Sequence, residues 1–341
     1  MKSKMITVIA VLLCMAVLQV PDPANAQQGQ QPGQKTINIK FGHNHPLTGP
    51  GHIGALVFQK EVETRSNGAM KVQIFPTMQL GSNREQMEGV QQGSIQVDLQ
   101  PSATVGNILP EMQLLDLPFL FPSERVMWKV LDGDWGKKLY AKAEAKGLII
   151  KGFTTSGFKQ ITANKPIRKL EDLKGLKMRV LDSPLLIAQY KSWGSNGVPI
   201  DFAELYNALQ QKVVDGQENN YWTNVNKKFY EVQTDLTATD HGPLLLTYMI
   251  NKNWYDKLTA DQKKIIDDAA IKDIAADRQA MVKQDQESIK IIQGKMKIFI
   301  MPANERARLK AAAEPCYKMM RDKFGDQVVA DLLKAVEQAS K

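Results

Sequence analysis

Short runs with a two-residue hydrophobic period alternate with longer stretches of helical period from Ile37 almost to the end of the chain. Ile37, Ile39 and Phe41 alternate with polar neighbours and predict a strand, followed by a Gly/Pro-rich turn from Pro46 to Gly51. His52 to Thr64 has helical spacing and stops at Asn67-Gly68; Val72 and Ile74 predict a second strand, ended by Pro76. Ser82-Asn-Arg-Glu85 has the form of a capping box opening a helix that Gly93 ends, and Ile95, Val97 and Leu99 predict a third strand. Ser123 to Lys146 reads as mostly helical, with a strand at Leu148–Ile150 after Gly147. The second half repeats this grammar: a helical turn at Leu170–Leu173, a strand through Leu176, Met178 and Val180, and a capping box at Asp201-Phe-Ala-Glu204 with its helix reaching Val214. A strand at Leu244–Ile250 is followed by a box at Thr259-Ala-Asp-Gln262 that opens a helix running to about Ile292 without glycine or proline. A late strand at Lys297–Met301 precedes a helical remainder. Strands interleaved with helices predict an α/β protein with parallel sheets, whose ligands sit beyond the carboxyl ends of the strands.

The chain has 341 residues, enough for two domains with real cores. Its 43% hydrophobic and 23% charged residues exclude disordered, collagenous and coiled-coil classes. Two cysteines exclude a disulfide scaffold and a multi-cysteine zinc module. The formal charge of +8 suits nucleic acid, an anionic surface or small anions alike, but the lysines are scattered and no basic stripe is interleaved with aromatics.

Residues 1–26 have the three-part plan of a secretory signal peptide. Lys2 and Lys4 precede an almost unbroken apolar run from Met5 to Val20, and Ala24-Asn-Ala26 ends the segment. The run is short for a membrane span, and bulky Leu13 before Cys14 argues against a lipoprotein site. Cleavage after Ala26 and export as a soluble protein are therefore expected. Residues 27–35 then form a polar, Gln-rich disordered tether. Cleavage leaves Cys316 alone in an apolar stretch, where it reads as a buried small hydrophobe, and export makes nucleic acid an unsuitable partner.

Catalytic signatures are missing: the sequence has no phosphate loop, no G-x-G-x-x-G after a strand, no G-x-S-x-G elbow and no H-E-x-x-H. His43 and His45 lie two apart on an extended segment, with His52 nearby. They read as turn histidines beside a polar pocket, or alternatively as metal ligands of an exported hydrolase. Arg179 is the best single binding candidate. Leu176, Met178 and Val180 share one face of their strand, so Lys177 and Arg179 take the other, and Arg179 is next to the carboxyl end. A guanidinium there reads either as a bidentate anchor for a carboxylate or as a structural salt bridge.

Arg179 lies within Asp172-Leu-Lys-Gly-Leu-Lys-Met-Arg-Val180. Together with Gln79-Leu-Gly-Ser-Asn-Arg-Glu85, Val214-Asp-Gly-Gln-Glu-Asn219 and Lys228-Phe-Tyr-Glu-Val-Gln233, in this order, the chain over residues 36–341 resembles the DctP-type solute-binding proteins of TRAP (tripartite ATP-independent periplasmic) transporters. The resemblance implies a two-domain, periplasmic-binding-protein-like clamshell with a long helix spanning both domains, met by the helix expected from Ala260. The expected division is 36–156 plus 245–284 for domain I and 157–244 plus 285–341 for domain II.

The same resemblance implies that Arg179 anchors a ligand carboxylate and that the Asn219 amide hydrogen-bonds the ligand. Asn44 would add a polar contact and Phe202 an apolar wall, although turn and core roles compete for these three. Lys159, in Gly157-Phe-Lys-Gln160, stands where many members place a second arginine, so a point-charge contact is expected. Pro101 stands where sialic-acid binders carry an acidic residue, which argues against that ligand. Tyr221 and Trp222 are further lining candidates. The implied function is capture of a small carboxylate and its delivery to the membrane permease of a TRAP transporter, by a monomer with no cofactor, no metal and no enzymatic activity. The rivals are a binding protein of an ABC importer or sensor, and the exported metal-dependent hydrolase.

Overall fold

A computed structural model describes residues 36–341; the signal-peptide and tether expectations fall outside these described residues. The strands are β1 Ile37–His43, β2 Met70–Phe75, β3 Val97–Pro101, β4 Leu148–Phe158, β5 Gln160–Ala163, β6 Lys177–Val180, β7 Asn196–Pro199, β8 Gly216–Asn219, β9 Asp235–Ala238, β10 Pro243–Asn251 and β11 Lys297–Ile300. They form one five-stranded sheet, β2-β1-β3-β10-β4, and one six-stranded sheet, β11-β9-β5-β8-β6-β7. This is the two-domain α/β clamshell expected.

The sheets are mixed rather than parallel, which corrects the sequence reading. β10 runs antiparallel to both β3 and β4, and β5 runs antiparallel to both β8 and β9. The remaining pairs are parallel. Parallel neighbours need a long crossover, usually a helix. β4 and β5 are instead separated by Lys159 alone, and β9 leads into β10 through the short segment 239–242. The chain thus passes between sheets twice along extended backbone, and the strands entered after each crossing, β5 and β10, run against the prevailing direction.

The third crossing is the helix Ala260–Gln293, opened by the Thr259/Gln262 capping box. At about 1.5 Å per residue it is roughly 50 Å long. It packs on the helix Pro50–Arg65 and on β4 at one end, and on the helix Tyr221–Asn226 of the other lobe. Gly54 permits the first approach: a Cβ there would lie 2.1 Å from the Asp273 carboxylate. The Ser82/Glu85 box also forms, opening the helix Asn83–Gln92. The Asp201/Glu204 box does not. Asp201 instead accepts a hydrogen bond from the Ala203 N–H in a turn, and the helix is the shorter Leu205–Gln210.

Phe41, Phe58 and Tyr248 centre the core between the first sheet and the long helix, while Met178, Tyr190 and Trp193 centre that of the second lobe. Cys316 is fully buried, in a cluster with Leu114, Phe121 and Phe153. The C-terminal helices Glu314–Phe324 and Asp326–Ser340 contribute Tyr317, Met320 and Leu332 to that same cluster, so the end of the chain packs back beside the first sheet. No helix among the described residues is long and apolar enough to cross a membrane.

Candidate functional site

The strand ends of the two sheets face each other across a cavity of about 80 Å³. At roughly 10–15 Å³ per water-sized site, that is room for a small metabolite and not for a polymer. The first sheet and its loops contribute Asn44, His45, Asn83, Pro101, Ser156 and Leu246; the second lobe contributes Lys159, Arg179, Phe202, Glu218, Asn219, Trp222 and Lys227. Five of the six expected site residues therefore meet here.

Arg179 emerges from β6 opposite Met178 and Val180, which enter the core as the alternation predicted. It is 2% exposed. Its Nε donates to the Ile200 carbonyl at 2.9 Å, but the buried Nη2 has no partner. Burial pushes its pKa down to about 10, against the charges of Asp201 and Glu218, so it stays cationic at neutral pH. Neither carboxylate reaches ion-pair distance of it among the described residues. A buried charged donor without an acceptor is costly. It is also what an anion-binding site looks like before the anion arrives. The structural salt bridge left open by the sequence is not formed.

Lys159 sits on the first crossing between sheets and reaches the same cavity, but its charge is already matched. Its Nζ lies 2.8 Å from Glu218 Oε1. Glu218 Oε2 accepts from His241 Nε2 at 2.7 Å and from Gln189 Nε2 at 3.0 Å. Burial would raise the Glu218 pKa, but Lys159 and the hydrogen bonds more than offset this and hold it well below the usual carboxylate range. Burial lowers the pKa of His241, and its Nδ1 pairs with Thr239 Oγ1 at 2.7 Å. Lys159 and His241 belong to the two extended crossings, so Glu218 of β8 ties both to the second lobe.

Asn219 lines the cavity with its amide nitrogen already donated to Gln217 Oε1 at 2.6 Å. Asn44 and Asn83 each present a buried Oδ1 without a partner, acceptors suited to a ligand hydroxyl. Phe202 is a wall, with Arg179 Cζ 5.8 Å and Lys227 Nζ 4.9 Å from its ring centroid. Tyr221 is corrected: it opens its helix facing Leu236 and Ile292, and the next residue, about 100° further round the helix, faces the cavity instead. That residue, Trp222, lies against His45, with ring centroids 4.6 Å apart. Its indole N–H donates to Gln284 Oε1 on the long helix, and Gln284 Nε2 donates to the Thr48 carbonyl, linking the lobes.

The three N-terminal histidines are occupied with one another and with backbone. His43 Nε2 and His52 Nδ1 are 3.1 Å apart, His43 Nδ1 accepts from the His45 N–H, and His45 Nδ1 accepts from the Gly51 N–H. Burial, then Lys227, brings the His45 pKa down to about 3; burial also lowers those of His43 and His52. No cluster of three or more potential metal ligands occurs among the described residues.

Sequence reasoning missed Glu218, Asn83, Ser156 and Lys227 as cavity residues. Glu218 and Asn83 lie inside quoted motifs that marked the place without the role; nothing in the sequence singles out Lys227.

Comparison with known proteins gives the same picture. The sequence matches the family of bacterial extracellular solute-binding proteins, family 7 (DctP), over residues 41–323. The 2,3-diketo-L-gulonate-binding periplasmic protein YiaO of Escherichia coli is 33% identical over 304 residues, covering 88% of this chain and 92% of that protein. The C4-dicarboxylate-binding periplasmic protein DctP of Rhodobacter capsulatus is 31% identical, covering 86% and 89%. Among solved structures, the sugar acid binding protein DctPAm of Advenella mimigardefordensis, in complex with galactonate, superposes with a TM-score of 0.86 at 34% identity, covering 89% of this chain and 99% of that one. A TRAP periplasmic solute-binding protein of Shewanella oneidensis with bound succinate gives 0.84 at 30% identity, covering 90% and 100%. These are binding proteins rather than enzymes, and they favour the transport reading over a hydrolase. With its two-sheet clamshell, its long shared helix and a buried arginine lining the cleft, this chain belongs to the DctP family of TRAP-transporter solute-binding proteins.

Proposed function

We propose that this protein captures a small organic acid by its carboxylate at Arg179 and hands it to a TRAP permease. One observation carries the reading: a buried guanidinium with an unpartnered Nη2 inside the interlobe cavity. A carboxylate there completes a charge-assisted pair that nothing among the described residues supplies. Phe202, Trp222 and Leu246 exclude water around it, which strengthens the pair by lowering the local dielectric. The acceptor oxygens of Asn44 and Asn83 suit hydroxyls on the same ligand. Ligand binding favours the closed arrangement by its differential affinity for it, and the Trp222–Gln284–Thr48 link is part of what an open form would lose.

The relatives support the ligand class, since the proteins matched bind succinate, galactonate and, in a Polaromonas member, D-erythronate. We assign 36–156 plus 245–284 to the first lobe and 157–244 plus 285–341 to the second, with 314–340 bridging back onto the first. The protein acts in the periplasm as a monomer, after cleavage following Ala26. Intact mass of the exported protein tests the cleavage, and light scattering the monomer. The functional test is titration calorimetry of wild type and Arg179→Ala against the acid that most raises the melting temperature in a carboxylate screen. Unchanged affinity in the variant would remove Arg179 from the site.

A further inference from the structure

The charges around the cavity do not cancel, and their imbalance has a location. Lys159 is matched by Glu218 at 2.8 Å. His45 is neutral, because its Nδ1 accepts the Gly51 N–H and its surroundings oppose a second proton. Two cations remain without a carboxylate at ion-pair distance among the described residues: Arg179, and Lys227 at the end of the helix Tyr221–Asn226. Lys227 is half-buried, its Nζ lies 4.9 Å from the centroid of Phe202, and desolvation lowers its pKa. Arg179 addresses the same ring from 5.8 Å. Two positive charges, neither with an ion-pair partner among the described residues, thus share one aromatic wall.

We propose that Lys227 is the second anion contact of this cavity and selects dianionic acids over monoanionic ones. The role the sequence reading gave to Lys159 passes to it. The proposal rests on the carboxylate-binding reading above and adds the ligand's second charge. A monoanion at Arg179 leaves Lys227 partly desolvated beside the ligand's neutral end. A dianion neutralises both cations, and the contact at Lys227 is a point-charge one that accepts varied geometry. A group already neutralised, as Lys159 is by Glu218, gains little from a second carboxylate.

The test uses length-matched pairs that differ only in the charge of one end: succinate against 4-hydroxybutyrate, and galactarate against galactonate. Titration calorimetry with the wild-type protein should show a dianion bound at least tenfold more tightly than its partner. Lys227→Gln should abolish that preference, weakening the dianion about tenfold more than the monoanion. Lys227 is at a helix end and partly exposed, so the ligand-free melting temperature of this variant should match wild type. A dianion preference that survives in Lys227→Gln overturns the proposal, as does a wild-type protein that prefers the monoanions. If monoanions alone bind, this proposal falls and the capture reading stands. If neither kind binds, this proposal falls, and the carboxylate screen decides the capture reading.

Discussion

Arg179 and Lys159 are both cations, both nearly inaccessible (2% and 4% exposed) and both on the wall of one cavity, yet among the described residues Lys159 has an ion-pair partner and Arg179 has none. The Lys159 corner is a closed network with Glu218, His241 and Gln189, built across the two extended crossings between the sheets. The Arg179 corner has one hydrogen bond to a backbone carbonyl and an idle Nη2. Burial makes an ion pair costly to break and an unpaired ion costly to keep. The first corner is therefore satisfied within the fold, and the second has the unmet need that the proposed carboxylate would fill.

The largest effect should come from breaking the closed corner. Lys159→Met leaves Glu218 buried with hydrogen bonds but no cation, and should cost about 3–5 kcal/mol of stability in chemical denaturation. Adding Glu218→Gln to that variant should recover much of the loss, because no uncompensated charge then remains. A single variant as stable as wild type would mean that the pair does not hold the crossings.

The open corner should respond in the opposite way. Arg179→Ala should cost roughly 2–5 kcal/mol of ligand binding, since the buried carboxylate loses its partner. The ligand-free protein should be no less stable than wild type, because an unsatisfied cation has been removed. Lys159→Ala should weaken binding less than Arg179→Ala does. The contrast fails if the two variants prove alike in both stability and affinity.

Titration sharpens the same distinction between matched and unmatched groups. Glu218, with its pKa depressed, contributes stability that is present above the unfolded value of about 4.3 and is lost as pH falls through its folded value. Asp98 is buried without a cation, accepting hydrogen bonds from Gln100 and the Leu99 N–H, and its pKa is pushed up to about 8. Its contribution is full below about pH 4 and declines as pH rises towards 8. Between pH 6 and 8 the wild type should lose about 2 kcal/mol through this one group. Asp98→Asn should remove that share of the slope, read as denaturation midpoints across the range. An identical pH profile in the variant would show that Asp98 is ionised in the folded state.

The sequence disclosed those parts of the fold where hydrophobic period and capping chemistry agree. The long helix was legible from its Thr259 box and its freedom from glycine and proline, and Arg179 from the alternation around it. Four strands were not: β5, β7, β8 and β9 have four residues each, and β8, Gly-Gln-Glu-Asn, is buried yet polar throughout, so no apolar period marks it. The parallel-sheet expectation failed for a related reason, since strand direction depends on which lobe the chain arrives from. Within the site, residue type told where a charge lies but not whether it is spent. Glu218 is 59 residues from Lys159, and only the pairing of β5 with β8 brings them together.

The smallest effect separates the histidines from the open corner. His43, His45 and His52 have the density of a metal site, and their spacing alone allows that reading. In the folded chain their nitrogens are engaged in sequence, from the Gly51 N–H to His45, from the His45 N–H to His43, and between His43 and His52. A metal held by all three rings would have to displace bonds at His43, both of whose nitrogens are engaged, whereas a carboxylate at Arg179 displaces none. Chelator treatment should therefore leave both the melting temperature and the ligand affinity unchanged within error, and added zinc should not raise either. A melting temperature several degrees lower after chelation would instead place a resident cation among these rings, and the neutral wall assigned to His45 beside the two unpaired cations would have to be redrawn.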